Sequence, residues 1–83
     1  MKAEIRKLLG SEKLVIGTER CMRLLREGKL KKVVLASNCN VTTVEDVRRY
    51  AGATEVIALD VPNEELGVFC KKPFNISVLG IRA

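Results

Sequence analysis

The chain has 83 residues, a net charge of +5 and a hydrophobic fraction of 47%. This length is typical of one small domain with a modest core, so we expect a single domain over residues 1–83. No apolar run reaches the roughly 20 residues that cross a membrane. The charged first residues, MKAEIRKLLGSEK, lack the apolar segment of a secretory signal peptide, so we expect a cytoplasmic protein.

The charge is distributed in three blocks. Residues 1–32 carry a net charge of +6, residues 33–70 carry −4, and residues 71–83 carry +3. If the two basic blocks meet in the fold, they form one positive surface, which is typical of nucleic-acid-binding proteins. The alternative is a charge that serves only solubility. We expect segments 17–32 and 71–75 to share one edge of the molecule. Four acidic side chains should lie mostly elsewhere, namely Glu45, Asp46, Glu64 and Glu65.

The residue types argue against a metal site and against an enzyme. Cys21, Cys39 and Cys70 are widely spaced and the chain has no histidine, so the pattern does not fit zinc and we expect reduced thiols. The chain also lacks a phosphate-binding GxxxxGKS/T loop and a recognisable carboxylate cluster. Cys39 has no evident base to activate it. From these features together we predict that the protein is not an enzyme.

Hydrophobic periodicity predicts alternating helices and strands. Apolar residues three and four apart indicate a helix over 3–9, and the apolar run 14–16 indicates a short strand. A helix follows over 18–27. Residues 29–32 are predicted to form a basic connector, and the apolar run 33–36 indicates a central strand that is covered on both faces.

The second half of the chain continues the alternation. Thr42 and Glu45 lie in capping-box register and predict the start of a third helix, whose apolar face would comprise Val41, Val44, Val47 and Ala51. Residues 55–59 predict a strand, Asn63 is the predicted N-cap of a short fourth helix, and residues 76–81 predict a last strand. The order αβαβαβαβ indicates an α/β protein, a three-layer α/β/α sandwich around a four-stranded mixed sheet.

The turn at Gly17 is the best candidate for an anion site. A strand that turns there into a basic helix presents free backbone N–H groups and the positive end of the helix dipole. The alternative is an ordinary strand–helix junction. Ligands of such sheets collect at the carboxyl ends of strands, which also include the loop 37–40. The loop 71–75 joins these segments if it folds to the same edge.

Several motifs, in order along the chain, resemble the kink-turn-binding ribosomal proteins of archaea and eukaryotes. They are Gly17 before a basic helix, Gly28 with Lys31, Ser37-Asn38-Cys39, Glu65-Leu66-Gly67, and Lys72-Pro73-Phe74 before Ile76-Ser77-Val78-Leu79. The resemblance covers Leu14 to Ile81 and is closer to the "L thirty e" branch than to the "L seven a e" branch. It implies an RNA-binding protein of a ribosome or ribonucleoprotein particle, with RNA and neighbouring proteins as partners and no cofactor.

The resemblance also implies which residues contact RNA. Gly17 matches a glycine that lets the helix approach RNA. Arg23 matches a family lysine that contacts RNA, and Lys31 matches one near the RNA phosphate backbone. The loop before the last strand packs against an unstacked base in the family. The expected RNA site comprises Gly17, Thr18, Glu19, Arg20, Arg23, Lys31, Asn38, Lys72, Pro73 and Phe74.

Two positions depart from the family pattern. Glu19 and Arg20 stand where the best-known branch has an Asn-Glu pair that reads sheared G·A pairs, and a carboxylate donates no hydrogen bonds. The alternative function is therefore a protein–protein interaction module on the same fold. Two side chains keep alternative roles: Phe74 stacks on a base or belongs to the core, and Asn38 contacts a base or forms an Asx turn.

Overall fold

The computed structural model describes residues 2–83 and contains the predicted alternation of helices and strands. The helices are α1 (Lys2–Leu8), α2 (Thr18–Arg26), α3 (Val41–Tyr50) and α4 (Asn63–Phe69), and the strands are β1 (Leu14–Ile16), β2 (Leu30–Leu35), β3 (Glu55–Ala58) and β4 (Val78–Arg82). None of these helices is long and apolar enough to cross a membrane.

The four strands form one mixed sheet in the order β1-β4-β2-β3. The last strand, β4, is antiparallel to both of its neighbours, whereas β2 and β3 are parallel. The predicted four-stranded mixed sheet is therefore confirmed, and β1 and β3 are its edge strands.

Helices cover both faces of this sheet. The α2 and α3 helices pack on the face to which Val33 belongs, and α1 and α4 pack on the face of Val34. Neighbouring residues of a strand point to opposite faces, and both of these valines are 0% exposed. The predicted three-layer α/β/α sandwich is confirmed.

The central strand begins earlier than its apolar run. Residues 29–32 were predicted as a connector, but β2 starts at Leu30, which pairs with Arg82. Lys32 lies within the strand, and its Nζ donates to Glu4 Oε1 of α1 at 2.9 Å. That bond lowers the pKa of Glu4 and raises the pKa of Lys32. The connector prediction is wrong because the backbone pairing of β2 with β4 begins at Leu30, before the apolar run that starts at Val33.

The start of α3 also differs from the prediction. Asn40 is the N-cap, and its side chain accepts a hydrogen bond from the Thr42 amide at 2.8 Å. The predicted capping box at Thr42 is therefore wrong. With the helix beginning at Val41, that side chain is 71% exposed and lies outside the buried face, whereas Val47 is fully buried.

The start of α4 is tied to the loop after β2. Asn63 is the first residue of the helix, after Pro62 as N-cap, so the predicted N-cap at Asn63 is wrong. The Asn63 amide donates instead to Asn38 Oδ1 at 2.8 Å. The last strand begins at Val78, because the Ile76 amide is bonded to the Asn63 carbonyl at 3.0 Å and not to the sheet.

The three cysteines are free thiols, as expected. Cys21 and Cys70 are buried and Cys39 is partly exposed. Burial raises the pKa of Cys21 to about 12, so at neutral pH its thiol is protonated and unreactive.

A glycine in α4 lets the segment 71–75 return along the helix. Gly67 is buried, and the Phe74 carbonyl occupies the space that a Cβ at this position would need. The obstructing atoms belong to the backbone, so a side chain here has no flexible neighbour to displace. The close approach at Gly67 therefore holds the position of the loop that carries Phe74.

We expect Gly67→Ala to reduce the free energy of unfolding by about 1–3 kcal/mol, because the loop must shift to admit the methyl group. Urea unfolding of the variant and the wild type measures the difference. Val68→Ala is the matched control: Val68 is the next residue of the same helix and is 73% exposed, so its effect should stay within about 0.5 kcal/mol. Equal stability of Gly67→Ala and wild type would contradict the close approach.

Candidate nucleic-acid interface

Three segments meet at one end of the sheet. The strand register sets Ile16 opposite Leu79 and Leu35 opposite Val78, so β1 and β2 end where β4 begins. The Gly17 amide donates to the Val78 carbonyl at 3.3 Å, and the Ala36 amide donates to the Ser77 carbonyl at 2.9 Å. The start of α2, the loop after β2 and the loop before β4 therefore share this end, which we call the Gly17 end.

The first turn of α2 presents unpaired donors at the Gly17 end. Gly17 is the N-cap with φ +115°, a region that favours glycine, and no side chain caps the helix. The first bond of the turn runs from the Cys21 amide to the Gly17 carbonyl at 3.1 Å. The amides of Thr18, Glu19 and Arg20 therefore have no acceptor within the helix and lie at the positive end of its dipole.

The polar side of α2 carries the predicted basic residues. Thr18 is partly buried, whereas Glu19, Arg20 and Arg23 are exposed. Arg20 and Arg23 are three residues apart and so are neighbours on the helix surface. Both guanidinium groups are available to a ligand in solvent.

Arg20 shares an open groove with the loop before β4. Lys71, Lys72 and Phe74 line the same groove, which has a volume of about 580 Å³ and includes Leu14 of β1. Lys71 lies within the basic block 71–75 but outside the set of RNA-contacting residues expected from the sequence. The groove thus combines three positive side chains with one aromatic ring.

Phe74 is not a core residue. Its side chain is 52% exposed, so the core alternative is wrong and the ring is accessible to a ligand. Phe74 also lies with Pro73 and Glu64 around a smaller depression. Glu64 was predicted to lie away from the basic edge, and that prediction is wrong because the loop 71–75 returns along α4.

Asn38 serves as a connection between segments. Its Nδ2 donates to Asn63 Oδ1 at 3.1 Å while its Oδ1 accepts from the Asn63 amide. The Asx turn suggested for Asn38 belongs to Asn40 instead. This pairing joins residues 25 positions apart, and no local pattern in the sequence indicates it.

Lys31 lies away from the Gly17 end. It is exposed near the start of β2, four residues before Leu35, which corresponds to about 13 Å along a strand. Lys29 and Lys32 are at the same opposite end. The prediction that 17–32 and 71–75 share one edge is therefore wrong for this part of the block, because β2 spans the whole sheet. Glu45 and Asp46 lie on α3, in the layer opposite α4.

Metal ligation is not indicated at this interface. Within residues 2–83 no group of three or more Cys, Asp or Glu side chains is arranged to hold a metal ion. The functional groups at this interface are backbone amides, guanidinium and ammonium groups and one exposed aromatic ring. These groups bind anions and stack on flat ligands.

Solved structures of other proteins share this fold. A 15.5 kD RNA-binding protein of Giardia lamblia matches with a TM-score of 0.81 at 13% identity, covering 99% of this chain and 70% of that one. A protein of unknown function from Bacillus halodurans matches with a TM-score of 0.84 at 18% identity, covering 99% and 83%. At these identities the likeness shows the fold alone.

Sequence comparison identifies the family. Residues 1–83 match the profile of the ribosomal protein L7Ae/L30e/S12e/Gadd45 family. The large ribosomal subunit protein eL30 of Sulfolobus acidocaldarius is 33% identical over 82 residues, covering 96% of this chain and 79% of that protein. The eL30 of Methanococcus vannielii is 34% identical over 77 residues, covering 90% and 73%.

These matches confirm the resemblance that the sequence motifs show, including the closer likeness to the L30e branch. They also confirm the prediction that the protein is not an enzyme, since the matched relatives are ribosomal proteins. The chain belongs to the ribosomal protein L7Ae/L30e/S12e/Gadd45 family.

Proposed function

We propose that residues 1–83 form a single RNA-binding domain of the cytoplasmic translation machinery, which recognises kinked RNA. The observation that carries this proposal is the groove at the Gly17 end, where Arg20, Lys72 and Phe74 lie together beside the first turn of α2. Relatives of this chain are named as large-subunit ribosomal proteins, and a protein of similar fold is named as an RNA-binding protein. Both names support RNA as the partner, together with other proteins of the particle.

The helix start is suited to the RNA backbone. Phosphate oxygens accept hydrogen bonds from the free amides of Thr18 and Glu19, and the helix dipole favours their negative charge. A Cβ at Gly17 would meet no atom within 4 Å, so the surface above the turn is open. A kink or bulge gives a helix start access to RNA that the narrow major groove of a regular duplex denies.

The exposed ring supplies a second kind of contact. A base that is unstacked at a kink has a free face, and stacking on an aromatic side chain contributes about 1–3 kcal/mol. Phe74 is half exposed and its backbone is held against Gly67, so the ring is presented on a fixed segment. Lys72 lines the groove beside the ring and can hold the adjoining phosphate.

The Glu19-Arg20 pair gives this chain its own readout at the kink. The Glu19 carboxylate accepts hydrogen bonds from amino groups on base edges, and the Arg20 guanidinium donates to base oxygens, ring nitrogens or phosphates. An Asn-Glu pair at these positions distributes donors and acceptors differently. We therefore expect a preference among kinked RNAs that differs from that of the Asn-Glu branch.

A protein–protein interaction module is the second candidate. The specific observation in its favour is an exposed apolar cluster of Val68, Pro73 and Phe74, at which Val68 is 73% exposed. Positive charge dominates the adjoining groove, however, and apolar side chains there also suit a base. Binding to RNA distinguishes the two candidates.

The first test is a panel of short RNAs of equal length, with and without a kink-turn, at two salt concentrations. We expect tighter binding to the kinked RNA than to plain duplex at both salt concentrations, because only the kink offers unstacked bases to Phe74. Gel shift or fluorescence anisotropy measures the affinities. Equal affinity for the two RNAs would leave only generic electrostatic attraction and would refute structural specificity.

The second test removes the two arginines of α2. Arg20→Ala and Arg23→Ala should each weaken binding to kinked RNA by about 1–3 kcal/mol, with little change in melting temperature. A shallower salt dependence would assign the contact to a phosphate, and a weaker preference between RNA sequences would assign it to a base edge. Arg48→Ala is the matched control, since Arg48 is exposed on α3. Wild-type affinity in both α2 variants would contradict the site.

The third test concerns the ring. Phe74→Ala should lower the affinity for kinked RNA by about 1–3 kcal/mol while leaving the slope of affinity against salt unchanged, because the lost contact is uncharged. The melting temperature should change little, since the ring is half exposed. Val41→Ala, which also truncates an exposed apolar side chain, serves as the control. A large fall in melting temperature with unchanged affinity would instead give Phe74 a structural role.

A further inference from the structure

A second groove continues the first one along the open edge of the sheet. It has a volume of about 620 Å³ and shares Gly10, Ser11, Leu14 and Arg20 with the groove that contains Phe74. The first groove reaches to Lys72 and Phe74 at one end, and the second reaches to Lys13 and Arg82 at the other. Together they form one channel, which we call the β1 channel.

The edge strand β1 sets the direction of this channel. Among the described strands β1 pairs only with β4, so its outer side is open. The Lys13 carbonyl accepts a hydrogen bond from the Arg82 amide at 2.8 Å, which sets these two residues opposite each other just before the start of β1. Arg20 extends beside the strand from the Gly17 end. The three residues of β1 separate the two ends by about 10 Å.

The side chains around the channel are predominantly positive. Five are basic and one is acidic: Lys13, Arg20, Lys71, Lys72 and Arg82, with Glu12. Within residues 2–83, the ion pairs that do form involve other basic residues, namely Lys29, Lys32 and Arg49. The five basic side chains outnumber the single acidic one, so the channel keeps a net positive charge, which favours an extended anionic ligand.

We propose that the far part of the β1 channel holds the phosphate backbone of an unpaired RNA strand that leaves the kink, with Lys13 and Arg82 contacting its phosphates. This inference rests on the proposed function, since it starts from RNA bound at Phe74 and Arg20. A positively charged groove that leads away from an aromatic ring is the arrangement that tracks single-stranded nucleic acid. A groove along the edge of one strand has room for one backbone, whereas a duplex requires a broader surface.

The test compares two RNAs that carry the same kink. One RNA consists only of the kink and its two flanking helices. The other carries in addition a short unpaired extension, and two versions of it place the extension at the 5′ end or at the 3′ end. We expect one of the extensions to tighten wild-type binding and to steepen its salt dependence by about 0.7 in log–log slope for each phosphate contact. Anisotropy titrations over a range of salt concentrations measure both quantities.

The variant Lys13→Gln/Arg82→Gln isolates the far part of the channel. Glutamine keeps the backbone bond between the two residues, so folding should be retained. We expect this variant to lose the gain from the extension while its affinity for the RNA without extension stays within about twofold of the wild type. Arg48→Gln/Arg49→Gln removes the same number of charges from α3 and should keep the gain from the extension.

Other results would overturn the inference. An extension that adds no affinity, or a variant that weakens both RNAs by the same factor, would reduce Lys13 and Arg82 to a general electrostatic contribution. Another such result is a wild type that binds an acidic peptide more tightly than the extended RNA. Loss of that peptide binding in the same variant would assign the channel to a protein segment. Failure of the proposed function would give a different result. The wild type would then bind kinked RNA that has no extension no more tightly than plain duplex.

Discussion

Two consecutive backbone carbonyls, those of Ser77 and Val78, hold the interface together. The Val78 carbonyl accepts from Gly17 at the start of α2, and the Ser77 carbonyl accepts from Ala36 in the loop after β2. Both bonds depend on β4, which is the last strand in sequence and lies between β1 and β2 in the sheet. The site therefore exists only when the C-terminal strand is in place, and loss of β4 would separate the segments that line the groove.

Side-chain bonds then fix the loops on this backbone frame. Asn63 bonds reciprocally with Asn38 and donates to Ser77 Oγ at 3.2 Å, so the start of α4 is joined to both neighbouring loops. The return of the chain past Gly67 holds Phe74. An interface whose backbone is held in this way binds with a smaller loss of conformational freedom, which leaves more of the contact energy for affinity.

The charge distribution around the groove opposes stability and suits the proposed binding of RNA. Arg20, Lys71 and Lys72 lie around one groove, beside the positive end of the α2 dipole, where their mutual repulsion is unfavourable for folding. Some basic residues elsewhere are paired, as Lys32 is with Glu4. Unpaired positive charge concentrated at one place is typical of a functional surface, and an anionic ligand offsets the repulsion when it binds.

The sequence by itself determined the alternation of elements, the three layers and the exposed basic side of α2, because these follow from local hydrophobic periodicity and helix geometry. It also determined the family, through short motifs in a fixed order. Only the tertiary structure decided that Lys31 lies at the far end of the sheet, that Asn38 bonds to Asn63, and that Phe74 is exposed. These facts depend on strand register and on contacts between residues distant in sequence, which local patterns do not encode.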